Sequence, residues 1–576
     1  MNKNVEIKKI FSIAKKKHQE IKFEEASKLY KEILKIEPNH FETNFYLGTL
    51  FIQVGNFKEA VSILKIAIKI NPLHVHINNN LGIAFYELGE FDQAIKYYED
   101  ALKIDPNYME SVFRLGSLFA QVGDFIKASK MLKQVVDNEP KNPDAHNNLG
   151  LTYRELGHFE KSIKCHEKAI LIKPNYADYY HNLGLAYKEI GEFKKTILCY
   201  VKVIEINPNH LKTINNISIL LQKINLNNLN KINNHILKKI FLFLFKKNDI
   251  EHNNIFTNAK SVLLVDEENF KLNKLSNLKY LLEEKNIQRL LKKELFLLML
   301  RKTLFKDTLF EKILTKLRKE LLFSLFESNK EILKENFDFI IALGEQCFFN
   351  EYIFIQSEKE FSYIKKLTKV IEKNSQINEL EIAILSNFIP LNSSEIIMNK
   401  LSNYKSKNNL FNDLITLQVN NFLVEKKLAN TIKSIGQISD IVSQKVKNQY
   451  EENPYPRWRY AHNKFPINPI VILNSQIKPN KIKFNNNFNK PNVLIAGCGT
   501  GKHIYIAENY LNSNITAVDL SKASLAYAKR KIIESGINNV EFIHADILEL
   551  SKLNRKFDII ESVGVIHHMQ DPLVGL

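Results

Sequence analysis

The chain has 576 residues, 45% hydrophobic and 25% charged, with a formal net charge of +18. That length is too great for one core and predicts about two to four domains, while the composition excludes a disordered or fibrous chain. The four cysteines, Cys165, Cys199, Cys347 and Cys498, form no CxxC pair and no zinc-spaced cluster with histidine, so neither a disulfide framework nor a metal site is expected.

The first segment, MNKNVEIKKIFSIAKKKHQE, lacks the continuous apolar run of a signal peptide. The longest apolar stretches, such as IFLFLF at 240–245, are too short to span a bilayer. A cytoplasmic protein without a membrane anchor is the expectation. The charge is unevenly placed: residues 1–208 and 491–576 are each close to neutral, and nearly all the excess falls in the Asn- and Ile-rich stretch 209–490. That stretch has two readings, the Lys/Asn/Ile bias of an AT-rich genome or a basic surface for an acidic partner. No RNP, zinc-finger or helix-turn-helix signature points to direct nucleic-acid recognition.

The first third repeats. Pro38, Pro72, Pro106, Pro140, Pro174 and Pro208 are each 34 residues apart, and Gly48, Gly82, Gly116, Gly150 and Gly184 keep the same period. So do Gly55, Gly89, Gly123, Gly157 and Gly191, each followed two residues later by Phe57, Phe91, Phe125, Phe159 or Phe193. Within one unit, AHNNLGLTYRELGHFEKSIKCHEKAILIKP (145–174), apolar residues recur at helical spacing through two helices joined at Gly157. The first glycine suits close helix packing, the second a turn, and the proline ends the second helix. The pattern resembles the tetratricopeptide repeat (TPR), in six units over about 5–208. The first is degenerate, with Ala14 in place of glycine, and a further helix near 211–222 caps the stack.

Such arrays form a concave groove whose usual work is binding a peptide or protein segment. Two residues before the first glycine, or its equivalent, stand Asn80, Asn148, Asn182 and Asn216, with Tyr46 and Arg114 in the remaining units. One amide per repeat can donate to and accept from an extended peptide backbone. The arrangement resembles the asparagine ladder of protein O-GlcNAc transferases, although an ordinary repeat-consensus residue explains the position as well.

From about 225 to 445 the chain is rich in Leu, Lys, Glu and Phe at helical spacing, as in 288–326, and predicts packed amphipathic helices. IIALGEQCFFNEYIF (340–354) reads as a buried helix with an aromatic face, and Cys347 within it as a structural thiol. QYEENPYPRW (449–458) marks a boundary, because two prolines force an extended path. Trp458, the one tryptophan, is either an anchor for that linker or a clamp on a pocket.

After 491 the period changes. NVLIAG, ITAVDLS (515–521), NVEFIHADI and FDIIESVGVIHH read as strands alternating with helices, which predicts a parallel doubly wound sheet with its ligand at the carboxyl ends of the strands. The loop NVLIAGCGTGKH (492–503) is neither a Walker A loop, since His503 stands where Ser or Thr is needed, nor GxGxxG, since the third glycine comes one residue early. GxGxG at Gly497, Gly499 and Gly501, followed by Asp519 at the end of the second strand, resembles motif I of class I S-adenosylmethionine (SAM)-dependent methyltransferases.

The resemblance implies SAM as cofactor, its methionine part against the glycines and its carboxylate at the N–H groups of the following helix. It implies Asp519 on the ribose hydroxyls, Asp546 on the adenine amino group with Ile547 beside the ring, and Glu561 and Ser562 near the methionine end. Methyl transfer is an in-line displacement that mainly needs a positioned acceptor. His567 and His568 are the nearest candidates for a general base, or else fix the loop VIHHMQDP.

The order of segments also resembles bacterial TPR-containing methyltransferases. The expected organisation is multidomain, an all-α TPR solenoid (1–225), a helical middle region (226–448), an aromatic and Pro-rich segment with linker (449–490) and the first part of an incomplete α/β Rossmann-like methyltransferase domain (491–576). Class I domains resemble a seven-stranded sheet ordered 3-2-1-4-5-7-6, of which only the first four strands are found, so a C-terminally truncated chain with little activity is expected. The leading expectation is a SAM-dependent methyltransferase whose array recruits a protein or peptide substrate or partner. Alternatives are a TPR scaffold with a vestigial methyltransferase half and, from the ladder alone, a glycosyltransferase, although no sugar-nucleotide site is seen.

Overall fold

The computed structural model describes residues 3–224, 234–265, 280–327, 330–452, 454, 457–460, 469, 473, 490–507, 510–566, 569 and 571–575. They divide into two compact units, Met1–Ile217 and Ser218–Leu576.

The first unit is a stack of helix pairs. Lys3–Gln19 packs on Phe23–Ile36, Phe41–Gln53 on Phe57–Ile70, Val75–Glu87 on Phe91–Ile104, and Met109–Val122 on Phe125–Asn138. Pro143–Glu155 with Phe159–Ile172 and Ala177–Glu189 with Phe193–Ile206 continue the stack. The helix Leu211–Lys223 follows. Both glycine positions act as their spacing predicts. A Cβ on Gly48 would stand 2.5 Å from Leu64 Cγ, and one on Gly82 2.5 Å from the Tyr98 ring, so the first glycine is the socket for a side chain of its partner helix. The second sits at positive φ in the turn, +77° at Gly157, where a side chain would be strained. Ala26, Ala60, Ala94 and Ala128, all fully buried, let the second helices pack as closely.

The second unit opens with helices, among them Asn234–Lys246, Glu294–Lys302, Thr308–Phe326, Phe337–Phe349 and Glu358–Lys373. The helix expected over 340–354 stops at Phe349. Glu351 and Tyr352 then adopt φ of +57° and +58°, and the chain turns so that Tyr352 and Phe354 point in while Ile353 and Ile355 face solvent. Cys347 is fully buried, and burial pushes its thiol up to about 12. Glu345, also fully buried, accepts from Arg301 at 3.1 Å and from Arg459, and Arg301 in turn reaches Asp413 at 2.6 Å. This network ties the helical region to the segment around Trp458.

Five parallel strands form one sheet in the order β1-β4-β3-β2-β5: β1 Lys433–Ser434, β2 Asn492–Ala496, β3 Asn514–Asp519, β4 Val540–His544 and β5 Ile559–Glu561. The four strands read from the sequence are β2 to β5, paired as 3-2-1-4 in their own order. The expectation of an all-helical middle region needs a correction, because β1 lies within it. Two exposed residues carry no periodicity, but Ile435 N–H donates to the His544 carbonyl at 2.9 Å and pins the strand to the sheet edge. Val493, Ile495, Ile515 and Ala517 meet the helix Lys522–Glu534 through Leu525, Ala528 and Ile532 in a shared core. Among the described residues, no helix is long and apolar enough to cross a membrane.

Candidate functional site

The carboxyl ends of β2, β3 and β4 open into a cavity of about 370 Å³ lined by Gly497, Gly499, Asp519, Asp546 and Ile547 among others. Five residues singled out from the sequence therefore meet at one place. The volume lies within the range of small-molecule pockets.

Each glycine of the loop does something different. All three have positive φ, +78° at Gly497, +52° at Gly499 and +87° at Gly501. A Cβ on Gly497 would lie 2.3 Å from Val565 Cγ2, and one on Gly501 2.7 Å from Ala528 Cβ. Gly501 thus serves helix packing and does not line the cavity. Gly499 has nothing within 4 Å of its would-be Cβ, and its N–H donates to Asp519 Oδ2 at 2.7 Å. The helix that follows the loop is short, Lys502–Ala507.

Asp519 ends β3, and its other oxygen accepts from Ser521 N–H at 2.9 Å. Burial raises its carboxyl above the ordinary value, opposed by these backbone donors and reinforced by the negative Glu451. Asp546, 3% exposed, accepts from Leu548 N–H at 3.0 Å and so caps the short helix Ile547–Leu553. Ser524 also lines the cavity; it is 1% exposed and its hydroxyl has no partner. An orphaned buried hydroxyl beside two carboxylates suits a ligand bearing hydroxyl or amino groups.

Glu561 and Ser562 do not join the site. Tyr510 O–H donates to Glu561 Oε1 at 2.6 Å and draws that carboxylate aside, while the Ser562 hydroxyl is buried without a partner. His567 and His568 lie outside the described residues. His503 does line the cavity, from the helix after the glycine loop.

One contribution was missed by sequence reasoning. The helix Ile441–Glu452 supplies one wall through Val442, Ser443, Val446 and Tyr450, on a single helical face. Trp458 resolves as an anchor: its indole N–H donates to the Thr500 carbonyl at 2.9 Å, its ring packs edge-on against Tyr505, and it does not line the cavity.

In the repeat unit, the asparagine position ties neighbouring repeats together. Asn80 donates to Thr49 Oγ1, Asn148 to Ser117 Oγ and Asn182 to Asn147 Oδ1, each at 3.0 Å. Each of these three amides spends one of its two N–H donors on a neighbouring repeat. Among the described residues, no group of three or more His, Cys, Asp or Glu could hold a metal ion.

Comparison with known proteins agrees with both halves. A methyltransferase-domain model matches residues 493–575, and tetratricopeptide-repeat models match 77–108, 131–164, 150–191 and 177–210. An uncharacterized protein of Synechococcus sp. is 38% identical over 89 residues, 15% of this chain and 21% of that one. A release factor glutamine methyltransferase of Fusobacterium nucleatum is 25% identical over 243 residues, 39% of this chain and 67% of that one. The solved structure of MamA from Desulfovibrio magneticus RS-1 is 24% identical with a TM-score of 0.29, covering 29% of this chain and 96% of its own. The chain spans less than half the length of the curated relatives matched first, from 21% to 46% of them. The chain carries tetratricopeptide repeats, and its residues 493–575 match a methyltransferase domain.

Proposed function

We propose that the cavity at the ends of β2, β3 and β4 binds S-adenosylmethionine, as in class I enzymes, and that the protein methylates a protein or peptide substrate recruited, directly or through a partner, by its repeat array. The observation that carries this reading is Asp519, a half-buried carboxylate fixed by the Gly499 and Ser521 N–H groups at the mouth of a cavity. Each of its oxygens keeps a free lone pair for a ribose hydroxyl. Asp546 and Ile547 would meet the adenine, and the Cβ-free backbone at Gly497 and Gly499 would admit the methionine part.

The cofactor supplies an electrophilic methyl group on a sulfonium. The protein's own part is to hold that group in line with an acceptor and to exclude water. His567 and His568 remain the proposed proton acceptors for an oxygen or nitrogen nucleophile, and a reducing, cytoplasmic setting suits four free cysteines.

Isothermal titration with SAM tests the reading. The chain should bind with a 1:1 stoichiometry, and D519A should lose at least about tenfold in affinity. Absence of binding would favour the second reading, a repeat scaffold with a vestigial methyltransferase half, toward which the diversion of Glu561 to Tyr510 points.

A further inference from the structure

The matched methyltransferase segment begins at residue 493, yet one wall of its cavity comes from the helix Ile441–Glu452. The C-terminal end of that helix is fastened to the loop that carries Asp519. Glu451 spreads its carboxylate over the first two N–H groups of the helix Lys522–Glu534, accepting from Lys522 at 2.7 Å and Ala523 at 3.2 Å. Beside it, the Ser521 hydroxyl donates to the Tyr450 carbonyl at 3.0 Å and accepts from Ser524 N–H at 3.0 Å. Ser521 also donates its own N–H to Asp519. A carboxylate on the exposed N–H groups of a helix start is a strong, charge-assisted clasp.

Resting on the SAM reading above, we propose that Glu451 is a positioning residue of the cofactor site: it clasps the wall helix Ile441–Glu452 to the Asp519 loop and so fixes the wall against the strand-end carboxylate. Glu451 touches neither the cavity nor its ligand. It acts through Tyr450, Ser521 and Asp519. The wall residues Val442, Val446 and Tyr450 add apolar lining to a cavity that also holds the two carboxylates, which suits a ligand with a flat ring and a polar sugar.

The charged groups around Glu451 are Asp519 on β3, Lys522 at the start of the facing helix, His544 on β4 and Lys447 on its own helix. Asp519 feels the Glu451 charge as repulsion, which adds to burial in raising its carboxyl. Asp519 must be ionised to accept two ribose hydroxyls, so affinity falls as the pH drops through its raised value. Removing the Glu451 charge relaxes that value downward and moves the acid limb of binding to lower pH.

The experiment is isothermal titration of the full chain with SAM from pH 5 to 8, comparing wild type, E451Q and V446W. E451Q keeps the shape but loses the charge and half of the clasp. It should bind about tenfold more weakly at pH 7.5, with its acid limb displaced to lower pH. V446W, whose indole would fill the wall side of the cavity, should abolish binding while the far-ultraviolet circular dichroism stays unchanged. If wild type does not bind SAM, the functional reading fails. If wild type binds and E451Q matches it in affinity and in acid limb, the role of Glu451 is refuted. Binding by V446W at wild-type affinity refutes the wall.

Discussion

The indole N–H of Trp458 donates to the carbonyl of Thr500 at 2.9 Å across 42 residues of sequence, inside a site that is only 8% exposed at the tryptophan. The same residue exchanges two bonds with Tyr527, whose O–H donates to the Trp458 carbonyl at 2.5 Å and accepts from its N–H at 3.1 Å. The glycine loop is thus gripped by the segment between β1 and β2. Trp458→Phe would keep most of the apolar contact and remove the indole N–H bond to the Thr500 carbonyl. The expected cost is about 0.5–1.5 kcal/mol of stability, measured by urea denaturation, with weaker SAM binding because the loop loses its backing.

Glu345 makes a second cross-link. Its carboxylate is fully buried between Arg301 and Arg459, and its removal would take the paired carboxylate from the Arg459 guanidinium while Arg301 keeps Asp413 at 2.6 Å. Breaking a buried pair from one side costs about 3–5 kcal/mol, so Glu345→Ala should be severely destabilised or insoluble. Glu345→Gln, which retains one acceptor, should be intermediate. Thermal melts of the two variants in parallel check the order, and equal melting temperatures for wild type and Glu345→Ala would contradict it.

These two residues show where the sequence is legible and where it is not. The repeat array is readable because its packing is periodic: Gly48 meets Leu64 and Gly82 meets Tyr98, the same offset along the chain. The loop and Asp519 are readable because a backbone at positive φ and a strand-end carboxylate leave local marks. Glu451 leaves none, since its partners lie 71 and 72 residues away and a glutamate in a polar helix has no distinguishing neighbourhood. Glu561 shows the converse. It stands at the end of β5, but the Tyr510 hydroxyl holds one of its oxygens, and only tertiary structure brings Tyr510 there.

The array should lose stability in acid through two histidines. His166 fills the socket over Gly150, and burial, aided by Arg154, holds its pKa down at about 3 from 6.5. Burial and the neighbouring His210 hold His181 at about 4. The unfolded chain takes up protons on these rings at a pH where the folded array refuses them. Their contribution is therefore whole above about pH 6.5 and declines as the pH falls toward 3 to 4. The slope is up to about 1.4 kcal/mol per pH unit for each ring. His166→Leu copies the residue that fills the same socket at Leu64 and Leu132, and Asn147 Oδ1 keeps its bond from Asn182 at 3.0 Å. Urea denaturation at pH 7 and pH 5 should show a shallower acid loss for that variant, and identical slopes would exclude His166 as a source.

The three loop glycines should respond differently to alanine. Gly501→Ala forces a methyl group within 2.7 Å of Ala528 Cβ and 3.1 Å of Ala528 Cα, a backbone atom that cannot step aside. Steric conflict adds to the strain of φ +87°, so the loop and the helix Lys522–Glu534 must separate, at a cost of about 2–4 kcal/mol. Gly499→Ala meets no atom within 4 Å and carries only the strain of φ +52°, about 1 kcal/mol. Its methyl group would project from the loop that lines the cavity. Stability and ligand binding should therefore separate: Gly501→Ala lowers the melting temperature more, while Gly499→Ala keeps the fold and weakens SAM binding. A Gly499→Ala protein that melts earlier than Gly501→Ala would show that the loop's packing on Ala528 is not what holds it in place.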